Sequence, residues 1–197
     1  MNLTLYIVKI IRRIKALFGS RKTIIYRKKT GPLAEVNSKL PNSTSIEHVV
    51  YDNCFELSAK DLVSIELILP KEGAKKILKR LKRPNYRLFA IKLNGEIAHF
   101  CMVIICKKGD FFRMADNDDL ILSLGNTSKK YRRKGLFKAN LRYICSNWKS
   151  SKWAYGNIRP ENIPSQKGVE AVGFERMGVY KYFQIARFNI HVRKCGD

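Results

Sequence analysis

Negative charge is scarce in this chain. Its 197 residues carry 16 Asp and Glu against 39 Lys and Arg, a formal net charge of +23. Such an imbalance calls for an anionic partner: nucleic acid, a membrane surface or a phosphorylated ligand. Long apolar runs are missing too, and none approaches the roughly 20 residues of a membrane-spanning helix. Histidine is rare. His48, His99 and His191 are the full set, and none sits in zinc-ligand spacing. The five cysteines, Cys54, Cys101, Cys106, Cys145 and Cys195, include no C-x-x-C pair. A disulfide framework and a metal site are therefore not expected, and the pattern fits a reducing, cytoplasmic compartment. Neither a Walker loop nor a dinucleotide-binding glycine fingerprint occurs. Internal repeats and low-complexity tracts are absent as well.

What is present is an ordinary globular composition. The hydrophobic fraction of 45% supports a packed core, and the length fits one domain with an appendage. The charge is spread along the whole chain. Two stretches of fifty residues exceed the others: 1–50 at +8, and 101–150 at +7. The second contains Lys129-Lys130-Tyr131-Arg132-Arg133-Lys134.

Residues 3–18 place Leu3, Ile7, Ile10, Ile11, Ile14, Leu17 and Phe18 at helical spacing, with Lys9, Arg12, Arg13 and Lys15 largely on the other side. The charges follow the apolar residues and no small-residue cleavage site appears, so a secretory signal is a poor reading. A basic amphipathic helix over 1–20 fits a membrane interface, and it also fits a helix packed on protein. A short β-like run, Thr23-Ile24-Ile25-Tyr26, opens a segment over 21–45 that ends as a Pro-, Gly-, Ser- and Asn-rich linker. The compact domain is expected over 46–197.

Within it, Ile46–Tyr51 reads as a strand. Ser58 with Asp61 starts a helix over about 59–67, and Pro70 starts a second over 71–82. Asn94-Gly95 between the apolar runs 86–93 and 96–106 predicts a type I′ hairpin. After Lys108-Gly109, Asp110–Ala115 reads as a short strand, followed by an acidic loop over 116–119. Strands are predicted at 120–125 and 152–158, helices at 136–148 and 161–172, and two strands within 174–194. The class is mixed α/β with a central sheet.

Leu120–Asn140 is the most informative stretch. A strand runs through a basic turn and Gly135 into an amphipathic helix. Unpaired amides at a helix start, the helix dipole and three adjacent cations make an anion site. A solvated basic turn fits the same residues. Tyr131–Phe137 resembles the acetyl-CoA pyrophosphate loop of the GNAT superfamily of acyl-CoA N-acyltransferases, which reads R/Q-x-x-G-x-G/A. Arg132 and Gly135 match its first two fixed positions, and Phe137 departs at the third. Downstream, Asn162-x-x-Ser165 before Gly173-Phe174 resembles the second signature of that family. The resemblance covers roughly 46–190.

It implies a GNAT-like fold: a mostly antiparallel sheet, a splayed parallel strand pair formed by 120–127 and 152–158, and flanking helices. It implies acetyl-CoA as acyl donor. Arg132, Arg133, Lys134, Gly135, Leu136 and Phe137 would surround the pyrophosphate. Backbone groups at Gly125 and Thr127, with Asn162 and Ser165, would hold the pantetheine arm and the CoA that follows. Many members protonate the leaving thiolate with a Tyr where this chain has Val169. Tyr155 and Tyr180 are replacements by location alone, and Tyr180 is taken as the candidate acid.

His99 is the candidate base, since a neutral imidazole titrates near pH 7; a hydrogen-bonded core histidine is the other reading. Gly95–Phe100 resembles a GNAT branch found among bacterial surface-polysaccharide clusters. Asp116, Asp118 and Asp119 could bind a cationic amine or deprotonate it through water, or form a solvated acidic turn. The leading expectation is an acetyl-CoA-dependent N-acetyltransferase. Its acceptor would be a primary amine, such as an amino sugar on a nucleotide or lipid carrier at the inner membrane face. A protein or peptide N-acyltransferase competes with it. So does a non-catalytic nucleic-acid-binding module on a degenerate scaffold, for which Trp148, Trp153 and the charge speak but no motif does.

Overall fold

The computed structural model describes residues 20–31, 46–149, 152–185 and 188–195. The amphipathic segment 3–18 and most of the linker lie outside them. The described strands are β1 (Ser20–Lys29), β2 (Glu47–Tyr51), β3 (Tyr86–Leu93), β4 (Glu96–Ile105), β5 (Leu120–Thr127), β6 (Trp153–Ile158), β7 (Glu175–Ile185) and β8 (Phe188–Lys194). The helices are α1 (Ala59–Ile68), α2 (Lys71–Leu81), α3 (Asp110–Arg113), α4 (Leu136–Ser146) and α5 (Ile163–Glu170). The strands form one sheet in the order β2-β3-β4-β5-β6-β1-β7-β8. Every neighbouring pair is antiparallel except β5 and β6, which run parallel.

Local chemistry accounts for much of this. Asn94 and Gly95 both take positive φ, +53° and +73°, as a type I′ turn demands, and Leu93 pairs with Glu96. Ser58 caps α1 in a reciprocal box, accepting from the Asp61 N–H while the Asp61 carboxylate accepts from the Ser58 N–H. On β4 the side chains alternate. Phe100 and Met102 pack with Ile65, Ile77 and Leu81 under α1 and α2. Cys101 and Val103 pack with Leu141, Ile144 and Val169 under α4 and α5. Both faces are covered, which is why β4 reads as one continuous apolar run. Burial pushes the thiols of Cys101 and Cys106 up to about 12.

Two expectations are corrected. The sequence pattern puts the run at 23–26 ahead of the domain, yet it belongs to a ten-residue strand in the interior of the sheet, between β6 and β7. Ile24 and Tyr26 enter the core under α4 and α5, and Ile25 packs on the opposite face with Tyr155 and Tyr180. Three apolar residues in succession are what a strand buried on both faces requires. Asp110–Ala115, whose pattern suggests a short strand, instead holds the single helical turn α3. Gly109 enters it at φ +86°, and its end is fixed by the Met114 N–H donating to the Asp110 and Phe111 carbonyls. No helix among the described residues is long and apolar enough to cross a membrane.

Candidate functional site

The parallel ladder between β5 and β6 is short. It pairs Leu120 with Ala154, Ile121 with Tyr155 and Leu122 with Gly156, and stops there. Beyond it, Ser123–Thr127 stays with β4 and parts from Asn157 and Ile158. A bulge accompanies the divergence. Between Phe100 and Met102 of β4 there is one residue, while β5 spends two between Ser123 and Asn126. Leu124 takes φ +49° there and is left 42% exposed. The gap between the strands opens into a hollow of about 450 Å³, with Ser123, Gly125, Gly156 and Asn157 on its walls.

The basic turn lies beside it. Tyr131 anchors the turn, buried against Leu136 with its hydroxyl donating to Glu96 at 3.3 Å. Arg133 and Gly135 take φ +65° and +76°, and Gly135 precedes α4 in the left-handed region. No side chain caps α4, so the opening amides of Leu136, Phe137 and Lys138 have no side-chain acceptor. A Cβ on Gly135 would meet nothing within 4 Å, so the space before the helix start is open. Arg132 and Arg133 line this cleft of about 830 Å³ together with Lys138 and Lys167. Lys134 is turned to the ring of Tyr131, 5.5 Å from its centroid.

The third wall is the start of α5. Asn162 caps it, its side-chain oxygen accepting from the Ser165 N–H at 3.3 Å. Asn162 and Ser165 line both hollows, so the two adjoin at the start of α5. At the other end, Gly173 at φ +85° closes the helix while the Phe174 N–H reaches back to the Val169 carbonyl at 3.1 Å. Val169 is 3% exposed, so an aliphatic group stands where the resemblance places an acid.

Phe137 occupies the junction of the two hollows. A Cβ on Gly168 would stand 2.8 Å from its ring, and one on Gly125 3.3 Å. The ring is accommodated because both facing residues are glycine. Gly168 was missed from sequence. Its cue was a glycine inside a helix, which costs about 1 kcal/mol relative to alanine and therefore needs a packing reason.

His99 stands behind that ring, 5.9 Å away and edge-on. It is 1% exposed, with Nδ1 2.8 Å from the Thr127 hydroxyl and Nε2 unpartnered. Burial pushes the imidazole down to about 3, against a weaker upward pull from an Asn126 backbone hydrogen bond. It is neutral across physiological pH.

The remaining predicted residues lie elsewhere. Asp116, Asp118 and Asp119 sit at the opposite end of β5 and line neither hollow. Asp119 is 2% exposed and accepts from the backbone N–H groups of Trp153 and Asp116, both at 2.8 Å. Asp116 accepts from the Asn117 N–H, and Asp118 pairs with Lys149 at 3.1 Å. Tyr180 is buried with Ile25, Cys106 and Tyr155 and faces neither hollow. Among the described residues no group of three or more His, Cys, Asp and Glu could hold a metal ion.

No family model matches the sequence, and no curated protein matches it. Solved structures do. A tandem GNAT protein from the clavulanic acid biosynthesis pathway superposes with a TM-score of 0.55 at 14% identity, over 86% of this chain and 55% of that one. A functionally unknown conserved protein from Staphylococcus epidermidis gives 0.54 at 9%, over 91% and 65%. A GCN5-related N-acetyltransferase from Kribbella flavida gives 0.53 at 12%, over 99% and 64%. The chain thus spans between about half and two thirds of the length of these proteins. The likeness shows the fold: this is a GNAT-type mixed sheet with flanking helices.

Proposed function

We propose that the chain is an acyl-CoA-dependent N-acyltransferase that uses acetyl-CoA and a primary amine. The observation that carries this is that the cleft at the start of α4, which no side chain caps, adjoins the gap between β5 and β6, with Gly125, Phe137, Asn162 and Ser165 lining both. Pyrophosphate suits the α4 amides flanked by Arg132 and Arg133. An extended pantetheine arm suits the β5 backbone at Gly125–Thr127, where β6 offers no pairing partner. When bound, acetyl-CoA supplies an activated acyl carbon. The acceptor amine nitrogen bonds to that carbon, the thioester C–S bond breaks, the amine proton passes to solvent, and CoA leaves as the thiolate, which takes its proton from solvent.

His99 serves this reaction as a positioning residue. An imidazole held near 3 is too weak a base to take a proton from an ammonium group, but its neutral ring fixes Thr127 and backs Phe137. Val169 supplies no proton, so the departing thiolate is protonated by solvent. Among the described residues lining the gap between β5 and β6 the one charged side chain is Arg159, which speaks against a cationic peptide as acceptor. An amino sugar on a nucleotide or lipid carrier fits better, and residues 3–18 would hold the enzyme at the anionic membrane surface where such carriers are used.

Calorimetry with acetyl-CoA tests the donor site. Wild type should bind, and Gly135→Asp, which sets a carboxylate before the α4 amides, should bind about 100-fold more weakly. Equal binding by both, or none by folded wild type, contradicts the assignment.

A further inference from the structure

We propose that the hollow at the start of β1 is a second anion subsite, which holds a phosphate group of the acceptor through Arg21, Lys22 and Arg159. The word acceptor rests on the acyltransferase reading above; the anion site does not.

The two ends of β1 differ in how their cations are used. At the far end Arg27 pairs with Glu175 at 3.6 Å and stacks 4.4 Å over the Trp153 ring, and Lys29 lies 5.5 Å from the same ring. At the near end Arg21 and Lys22 are exposed and form no ion pair among the described residues. Arg159, exposed where the chain leaves β6, forms none either. Yet these three line one hollow of about 830 Å³, with Tyr182 across from Arg21 on β7. Among the described residues Glu161 is the only carboxylate on its walls, so their charges sum to an excess of two positive. Cations gathered without partners repel each other, and a bound anion reverses the sign of that interaction.

Position gives the anion its meaning. The hollow shares Asn162 and Pro164 with the α4 cleft, and Arg159 and Asn162 with the gap between β5 and β6. It shares no cation with the α4 cleft, whose own are Arg132, Arg133, Lys138 and Lys167. Two independent sets of cations therefore flank one gap. One set serves a donor that enters past Gly135; the other serves a phosphate whose attached amine reaches the gap from the β1 side. Arg21 and Lys22 lie outside the stretch covered by the family resemblance, so this half of the site belongs to the particular chain.

Inorganic pyrophosphate is the probe, titrated by calorimetry into the full chain at moderate salt. It should bind wild type saturated with acetyl-CoA, and it should still bind Gly135→Asp. Adding Arg21→Ser and Arg159→Ser to Gly135→Asp should weaken it at least about tenfold. Arg21→Ser with Lys22→Ser, at residues that line neither the α4 cleft nor the gap, should leave acetyl-CoA affinity within about twofold of wild type. Failure of pyrophosphate to bind wild type saturated with acetyl-CoA would assign the cations to the donor and overturn the proposal. So would loss of pyrophosphate binding in Gly135→Asp, or no effect of the arginine changes. Should the double change fail to fold, Lys22→Ser carries the same test. A wild type that binds pyrophosphate in this pattern but not acetyl-CoA would end the acyltransferase reading and leave the subsite standing.

Discussion

β5 begins in a turn whose carboxylates are already engaged and ends in a bulge whose neighbours are not. At Asp116–Asp119 the acids accept from backbone amides or pair with Lys149. At Ser123–Thr127 the strand parts from β6, Leu124 turns outward, and the facing helix starts without a cap. Acids near a strand end attract a catalytic reading, but acids whose oxygens are used by the fold hold the chain in place. Chemistry belongs where donors and space remain open.

The largest test of this contrast is the pH dependence of stability. His99 titrates near 3 in the fold and near 6.5 when unfolded, so the unfolded chain takes up its proton first as pH falls. The stability tied to its neutral state is complete above about pH 6.5 and is lost progressively down to about pH 3, about 5 kcal/mol in all. His48, also lowered by burial, acts in the same direction. Denaturant melts should show a His99→Gln chain losing less stability across this window than wild type; parallel profiles would contradict the burial of His99. Asp119→Ala at the other end of β5 should cost about 2–3 kcal/mol, by stranding the Trp153 and Asp116 amides, while leaving acetyl-CoA affinity unchanged. An affinity loss would return the acidic turn to the site.

Gly168→Ala should cost about 1–2 kcal/mol because the added carbon meets the Phe137 ring, and it should also alter acetyl-CoA binding. Smallest is Asp118→Asn, whose partly exposed pair with Lys149 is worth under about 1 kcal/mol.

Reading the sequence worked where the physics is local. The Asn94-Gly95 turn, the Ser58 cap, the Gly135 entry to α4 and the Asn162 cap of α5 each depend on residues within a few positions of one another. It failed where the partner is distant. β1 pairs with strands more than 120 residues away, so the apolar run at 23–26 carried no sign of its place in the sheet. Asp119 was misread because one of its partners is the Trp153 amide on another strand. Phe137 looked like a defect in a motif because Gly125 and Gly168, which make room for it, lie on two other elements.

The most direct measurement is amide hydrogen exchange with and without acetyl-CoA. The account predicts slower exchange at Gly125–Thr127 and at Leu136–Lys138, with Asp116–Asp119 and Trp153 unchanged. Protection confined to the acidic turn, or none at the start of α4 under saturating acetyl-CoA, would contradict it.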